Sequence, residues 1–68
     1  MIIKVNGKEQ EIGKNEISVY ELLMENNVGR PDMVSIQLNG KFVDKDELQT
    51  TLVKDKDEVD YLYFMGGG

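Results

Sequence analysis

Two Asn-Gly dipeptides, at residues 6–7 and 39–40, constrain the folding of this 68-residue chain more than any other feature. Asn-Gly is the favoured pair for a two-residue hairpin turn, because both central residues of that turn need positive φ. Each pair is flanked by alternating apolar and polar residues. Before the first, Ile3 and Val5 alternate with Lys4, and Lys8 to Ile12 follows as a polar-edged strand. Before the second, Val34, Ile36 and Leu38 alternate with Ser35 and Gln37, and Phe42-Val43 follows. Period-two alternation marks half-buried strands, so two tight hairpins are expected.

The stretch between them reads as one helix. Ser18 followed by Glu21 fits a capping box, in which the serine hydroxyl accepts from the Glu21 amide and the glutamate reaches back to the Ser18 amide. Ile17 and Leu22 occupy the positions of a hydrophobic staple, while Val19, Leu22 and Leu23 form an apolar stripe with Glu21 and Glu25 turned outward. The helix is expected to end near Asn26-Asn27, with Gly29 and Pro31 blocking continuation. Further on, Asp44 to Thr51 is too polar for a strand, and Leu48 and Leu52 are expected to anchor it to the core as a short helical turn or coil. Asp55-Lys56-Asp57 makes a last turn before a strand from Val59 to Phe64.

Strand, strand, helix, strand, short strand, strand is the layout of an α+β fold, the β-grasp: a mixed sheet of four to five strands with one helix packed across it. Residues 1–65 are expected to form this single domain, with 66–68 as a flexible glycine tail. At this length the core is small, since such a chain hides only about 60% of the surface that it exposes when unfolded. Without cysteine there is no disulfide staple, no thiolate nucleophile and no Cys-based metal site. Histidine is also absent, which removes the usual neutral-pH proton carrier and the commonest transition-metal ligand. Self-contained catalysis is not expected, nor a bound cofactor or metal. Asp55 and Asp57 make neither a catalytic dyad nor a calcium loop, because the glycine and glutamate spacing of an EF-hand is missing. A net charge of −5 opposes binding to nucleic acid or anionic membranes. Nothing in the sequence approaches a signal peptide or membrane span, so a cytoplasmic protein, monomeric when free, is expected.

The ending carries the functional signal. Gly66-Gly67-Gly68 follows the apolar run Tyr61-Leu62-Tyr63-Phe64-Met65. A peptide without side chains can thread a narrow channel and present its terminal carboxylate to another enzyme, because glycine has no Cβ to block close approach. The alternative is an inert, frayed end. Parity divides the last strand: with Val59 and Tyr61 facing the core, Leu62 and Phe64 point to the other face. There Leu62, Phe64 and Met65 are candidate partner-interface residues. Alternatively they cover the sheet or pack against Ile2 on the neighbouring strand. The acidic set Asp44, Asp46, Glu47, Asp55, Asp57 and Glu58 reads either as a solvated face or as a means of steering towards a basic partner.

The run Val5-Asn6-Gly7-Lys8, the helix entry Ser18-Val19-Tyr20-Glu21-Leu22-Leu23 and the hairpin Leu38-Asn39-Gly40-Lys41-Phe42-Val43 carry a family resemblance. With the turn Lys54-Asp55-Lys56-Asp57-Glu58-Val59 and the terminal Gly67-Gly68, they resemble in order and spacing the ThiS-type sulfur carriers of thiamin biosynthesis, in the ThiS/MoaD ubiquitin-like family. The resemblance spans essentially the whole chain. It implies that the carboxylate of Gly68, preceded by Gly67, is adenylated by a separate E1-like enzyme using ATP and Mg²⁺ and then becomes a thiocarboxylate. It also implies a sulfur donor such as a cysteine desulfurase, and thiazole synthase as acceptor. Molybdopterin synthase small subunits and carriers for sulfur amino-acid synthesis share fold and tail. A ubiquitin-like covalent modifier and a plain interaction module are the readings of other classes. Three departures stand out: Gly66 makes the ending a triglycine, the aromatic segment from Tyr61 to Met65 is heavier than the family's usual aliphatic one, and Lys56 occupies a turn position where the family often has glycine. That turn is expected either to avoid positive φ or to bear modest strain.

Overall fold

The computed structural model of the chain describes residues 1–63. Seven strands and one α-helix follow in the order β1 (Ile2–Val5), β2 (Lys8–Glu11), β3 (Glu16–Ser18), α1 (Val19–Glu25), β4 (Val34–Leu38), β5 (Lys41–Phe42), β6 (Leu52–Lys54) and β7 (Glu58–Tyr63). Short 3₁₀ turns at Pro31–Met33 and Lys45–Glu47 complete the elements. Five strands form the main sheet in the order β2-β1-β7-β4-β5, with β1 and β7 parallel and the other neighbours antiparallel. This mixed sheet with one helix is the expected β-grasp. The expected boundary between a domain ending at residue 65 and a tail of 66–68 lies outside the described residues.

Both hairpins form on their Asn-Gly turns. Asn6 and Gly7 have φ of 52° and 82°, and Asn39 and Gly40 have 51° and 84°, the paired left-handed angles that such a turn needs. The core gathers Ile3, Ile17, Val19, Leu22, Leu23, Val28, Val34, Ile36, Val53 and Val59, all essentially inaccessible to water. Within it the helix buries Val19, Leu22 and Leu23, the stripe read from its spacing.

The two helix ends explain the chain around them. At the N-terminus, Ser18 Oγ accepts from the Glu21 amide at 3.0 Å. The reciprocal arm of the capping box does not form: Glu21 instead accepts a hydrogen bond from Lys14 Nζ at 3.0 Å. The amides of Val19 and Tyr20 donate to the carbonyls of Thr51 and Leu48, both at 2.9 Å. Thus the polar stretch 44–51 closes over the helix end and satisfies amides that would otherwise lack partners. At the C-terminus, Asn27 has φ of 61°, its amide donates to Met24 and the Val28 amide donates to Leu23. These two bonds make a Schellman motif, with Val28 buried beside Leu23. Asn27, rather than Gly29, supplies the left-handed residue.

Two expectations need correction. A second, two-stranded sheet of β3 and β6 pairs Glu16–Ser18 with Leu52–Lys54, where no strand was read. Accordingly Leu52 is not an anchor: it is 42% exposed, while Val53 is fully buried and Leu48 is buried as expected. The β3–β6 register sets the facing, because the pairing of Ile17 with Val53 directs both into the core. Lys56 adopts positive φ, at 71°, so of the two outcomes expected for that turn the strained one holds.

Candidate functional site

β7 leads towards the C-terminal residues from the middle of the sheet. Along one edge it is paired with β4 from Leu38–Val59 to Val34–Tyr63. Along the other, β1 contributes only the pairs Lys4–Glu58 and Val5–Val59 before its chain turns away. Asn6 then extends the contact: its amide donates to the Val59 carbonyl at 2.9 Å, and its Oδ1 accepts from the Tyr61 amide at 2.8 Å. Asn39 does the same at the strand's start, donating its amide to the Glu58 carbonyl at 2.7 Å and accepting from the Glu58 amide on Oδ1 at 2.9 Å. Its Nδ2 donates to Asp57 Oδ1 at 3.0 Å, and the other oxygen of Asp57 accepts from the Lys54 amide at 2.8 Å. Both hairpin asparagines therefore hold β7 as well as forming turns.

Alternation along β7 directs Val59 and Tyr61 to the helix side and Asp60 and Leu62 to the open face. Val59 is fully buried, whereas Leu62 is 70% exposed. Leu62 pairs with Ser35, Asp60 with Gln37, and Gln37 on its other side with Phe42, which is 73% exposed. Leu62, Phe42, Asp60, Ser35 and Gln37 line one shallow groove. A second shallow groove runs from Phe42 to Asp44, Lys45 and Asp46, so carboxylates lie on both sides of the phenylalanine and outnumber the one lysine among them. An apolar pair set among acidic residues is suited to a partner face that is apolar at its centre and basic at its rim.

Phe42 is a residue of this face that the apolar spacing of the sequence does not single out. Its signal was the two-residue turn, which sets residues 37 and 42 opposite each other and so carries the outward facing of Gln37 across to Phe42. Packing of Leu62 on Ile2 is excluded by register: with Lys4 level with Glu58, Ile2 lies level with Lys56, and Leu62 lies beyond the end of β1. Phe64, Met65, Gly66, Gly67 and Gly68 lie outside the described residues.

Two exposed ion pairs involve no residue of this face. Lys14 is raised above its ordinary pKa by its hydrogen bond and charge interaction with Glu21. Asp32 is held below the usual carboxylate range by the hydrogen bond from Arg30. Among the described residues no cluster of His, Cys, Asp or Glu is arranged to hold a metal ion, and no helix is long and apolar enough to cross a membrane.

Comparison with known proteins places this geometry. The model of the ThiS family matches residues 3–68. The chain is similar to the crystal structure of a thiamine biosynthesis protein (ThiS) from Geobacter metallireducens, with 40% identity, full coverage of both chains and a TM-score of 0.88. It is likewise similar to an NMR solution structure of a thiamine biosynthesis protein from Geobacter metallireducens, at 40% identity, covering all of this chain and 88% of the other with a TM-score of 0.83. Among curated proteins no match is found. A match over nearly the whole length, together with a five-stranded mixed sheet crossed by one helix, makes this chain a member of the ThiS family.

Proposed function

We propose that this chain is a sulfur carrier that serves thiazole formation in thiamin biosynthesis, with the carboxylate of Gly68 as its reactive group. The observation that carries this reading is the family match, which continues through the three glycines to residue 68. With no cysteine or histidine, the chain offers neither a thiol nor an imidazole for acyl chemistry. Free carboxylate is a poor electrophile because it lacks a good leaving group. In the proposed sequence a carboxylate oxygen of Gly68 attacks the α-phosphorus of ATP, and pyrophosphate leaves. The terminal sulfur of a donor persulfide then attacks the acyl carbon and AMP departs, leaving an acyl disulfide; a thiol reductant cleaves its S–S bond, which leaves the thiocarboxylate on Gly68 and a disulfide on the donor side. ATP, Mg²⁺ and catalysis belong to an E1-like adenylating partner, the sulfur to a donor such as a cysteine desulfurase, and the acceptor is thiazole synthase.

In this scheme the open face bearing Leu62 and Phe42, with Phe64 and Met65, docks the adenylating enzyme while Gly66, Gly67 and Gly68 reach its active site. Its acidic border steers the carrier towards basic partner surfaces. Mass spectrometry tests the chemistry: incubated with the adenylating enzyme, ATP, Mg²⁺ and a sulfur donor, the intact chain gains one oxygen-to-sulfur exchange located on Gly68. An amide bond to a lysine of another protein would replace sulfur carriage with protein modification, and a chain left unmodified would make the tail inert.

A further inference from the structure

We propose that Asn6 is a site of spontaneous covalent modification, condensing with Gly7 to a succinimide that opens to aspartate and isoaspartate, while Asn39 in the matching turn is protected by Asp57. The reaction needs an unhindered backbone nitrogen following the asparagine. Among the chain's asparagines, only Asn6 and Asn39 precede glycine, whereas Asn15, Asn26 and Asn27 precede Glu16, Asn27 and Val28. Neither glycine is packed against, since a Cβ added to Gly7 or Gly40 would meet nothing within 4 Å.

The two side chains are held differently. Each uses Oδ1 to accept a β7 amide, at 2.8 Å for Asn6 and 2.9 Å for Asn39. Asn39 Nδ2 is also held by Asp57 Oδ1 at 3.0 Å, while among the described residues Asn6 Nδ2 has no hydrogen-bond partner. For the ring to close, the carboxamide must rotate off its acceptor contact and the –NH₂ must depart. In Asn39 that group is tethered. The Asp57 carboxylate, in contact with Asn39 Nδ2, also opposes the negative charge that develops at Asn39 Cγ as the ring closes.

At Asn6 the Gly7 nitrogen loses its proton to hydroxide and bonds to Cγ; the Cγ–Nδ2 bond then breaks as Nδ2 takes a proton from water, which releases ammonia and returns hydroxide. Water then opens the ring. Cleavage of the bond between Gly7 nitrogen and Cγ leaves aspartate with an ordinary backbone, whereas cleavage at the main-chain carbonyl leaves isoaspartate, with Cβ inserted into the chain. No oxidation change is involved. An aspartate carboxylate still accepts from the Tyr61 amide. Isoaspartate lengthens a two-residue turn, displaces the Val5–Lys8 pairing and disturbs the bond from residue 6 to Val59. The change therefore reaches β1, β2 and β7.

The test does not depend on sulfur carriage. The full chain is aged at mildly alkaline pH, folded in buffer and in parallel unfolded in denaturant, and each asparagine is followed by peptide mass mapping with isoaspartyl methyltransferase labelling. In denaturant Asn6 and Asn39 convert at similar rates. Folded, Asn6 converts at least about fivefold faster than Asn39, the factor that one hydrogen bond of ordinary net strength supplies. Equal rates in the folded chain, a faster Asn39, or no conversion at Asn6 once the unfolded sample has reacted fully would each overturn the proposal. Asp57→Ala raises the Asn39 rate towards that of Asn6; an unchanged Asn39 rate in a folded variant removes Asp57 as the protecting group.

Discussion

Lys56 holds a left-handed backbone, φ 71°, in the turn that leads into β7. For a residue with a Cβ that conformation costs about 1–2 kcal/mol, more than the roughly 0.4–1 kcal/mol of extra chain entropy that glycine loses on folding. Lys56→Gly is therefore expected to stabilise the fold by about 0.5–1 kcal/mol, seen as a higher denaturant midpoint at unchanged slope. Ser18 and Glu21 make a second contrast between single residues. With Ser18 Oγ bonded to a helix-end amide, Ser18→Ala costs about 0.5–2 kcal/mol. Glu21→Ala leaves the midpoint where it is, because its carboxylate pairs with an exposed lysine instead of closing the capping box. The helix start was legible because the serine bond spans three residues. The second use of the two hairpin asparagines was not, since Asn6 meets Tyr61 across 55 positions and Asn39 meets Asp57 across 18.

Among the elements, those with a strong local period were readable and those defined by a distant partner were not. α1, β4 and the two hairpins each carry their own pattern of apolar spacing or turn residues. β3 and β6 are three residues each, too short to show alternation, and each becomes a strand by pairing with the other across a gap of more than thirty residues. Leu52 is expected to anchor this stretch together with Leu48, yet the register gives the core position to Val53. Substitution separates them. Val53→Ala is expected to cost about 1.5–3 kcal/mol, through lost burial and the cavity left behind, and Leu52→Ala less than about 0.5 kcal/mol. Equal losses in thermal or chemical melts would contradict this small sheet.

For the whole molecule, the division of the sheet into a helix-covered face and an open face separates stability from recognition. Phe42→Ser and Leu62→Ser remove exposed apolar groups that contribute little to the core, so each should shift stability by less than about 0.5 kcal/mol. If the open face docks the adenylating enzyme, both weaken that complex in calorimetry, and normal affinity in the double variant would move the docking surface elsewhere. Half of this candidate site was legible from strand parity, which turned Leu62 outward; Phe42 joined it only through the hairpin register. The placement of β7 also has a mechanical side. A pull along its axis from the C-terminal end loads the β1 and β4 ladders in shear, so that their hydrogen bonds share the force and must fail together, whereas an edge strand peeled sideways gives way one bond at a time. Under the proposed function, an adenylating enzyme that draws on the chain along this axis would tug on the sheet in its most resistant direction.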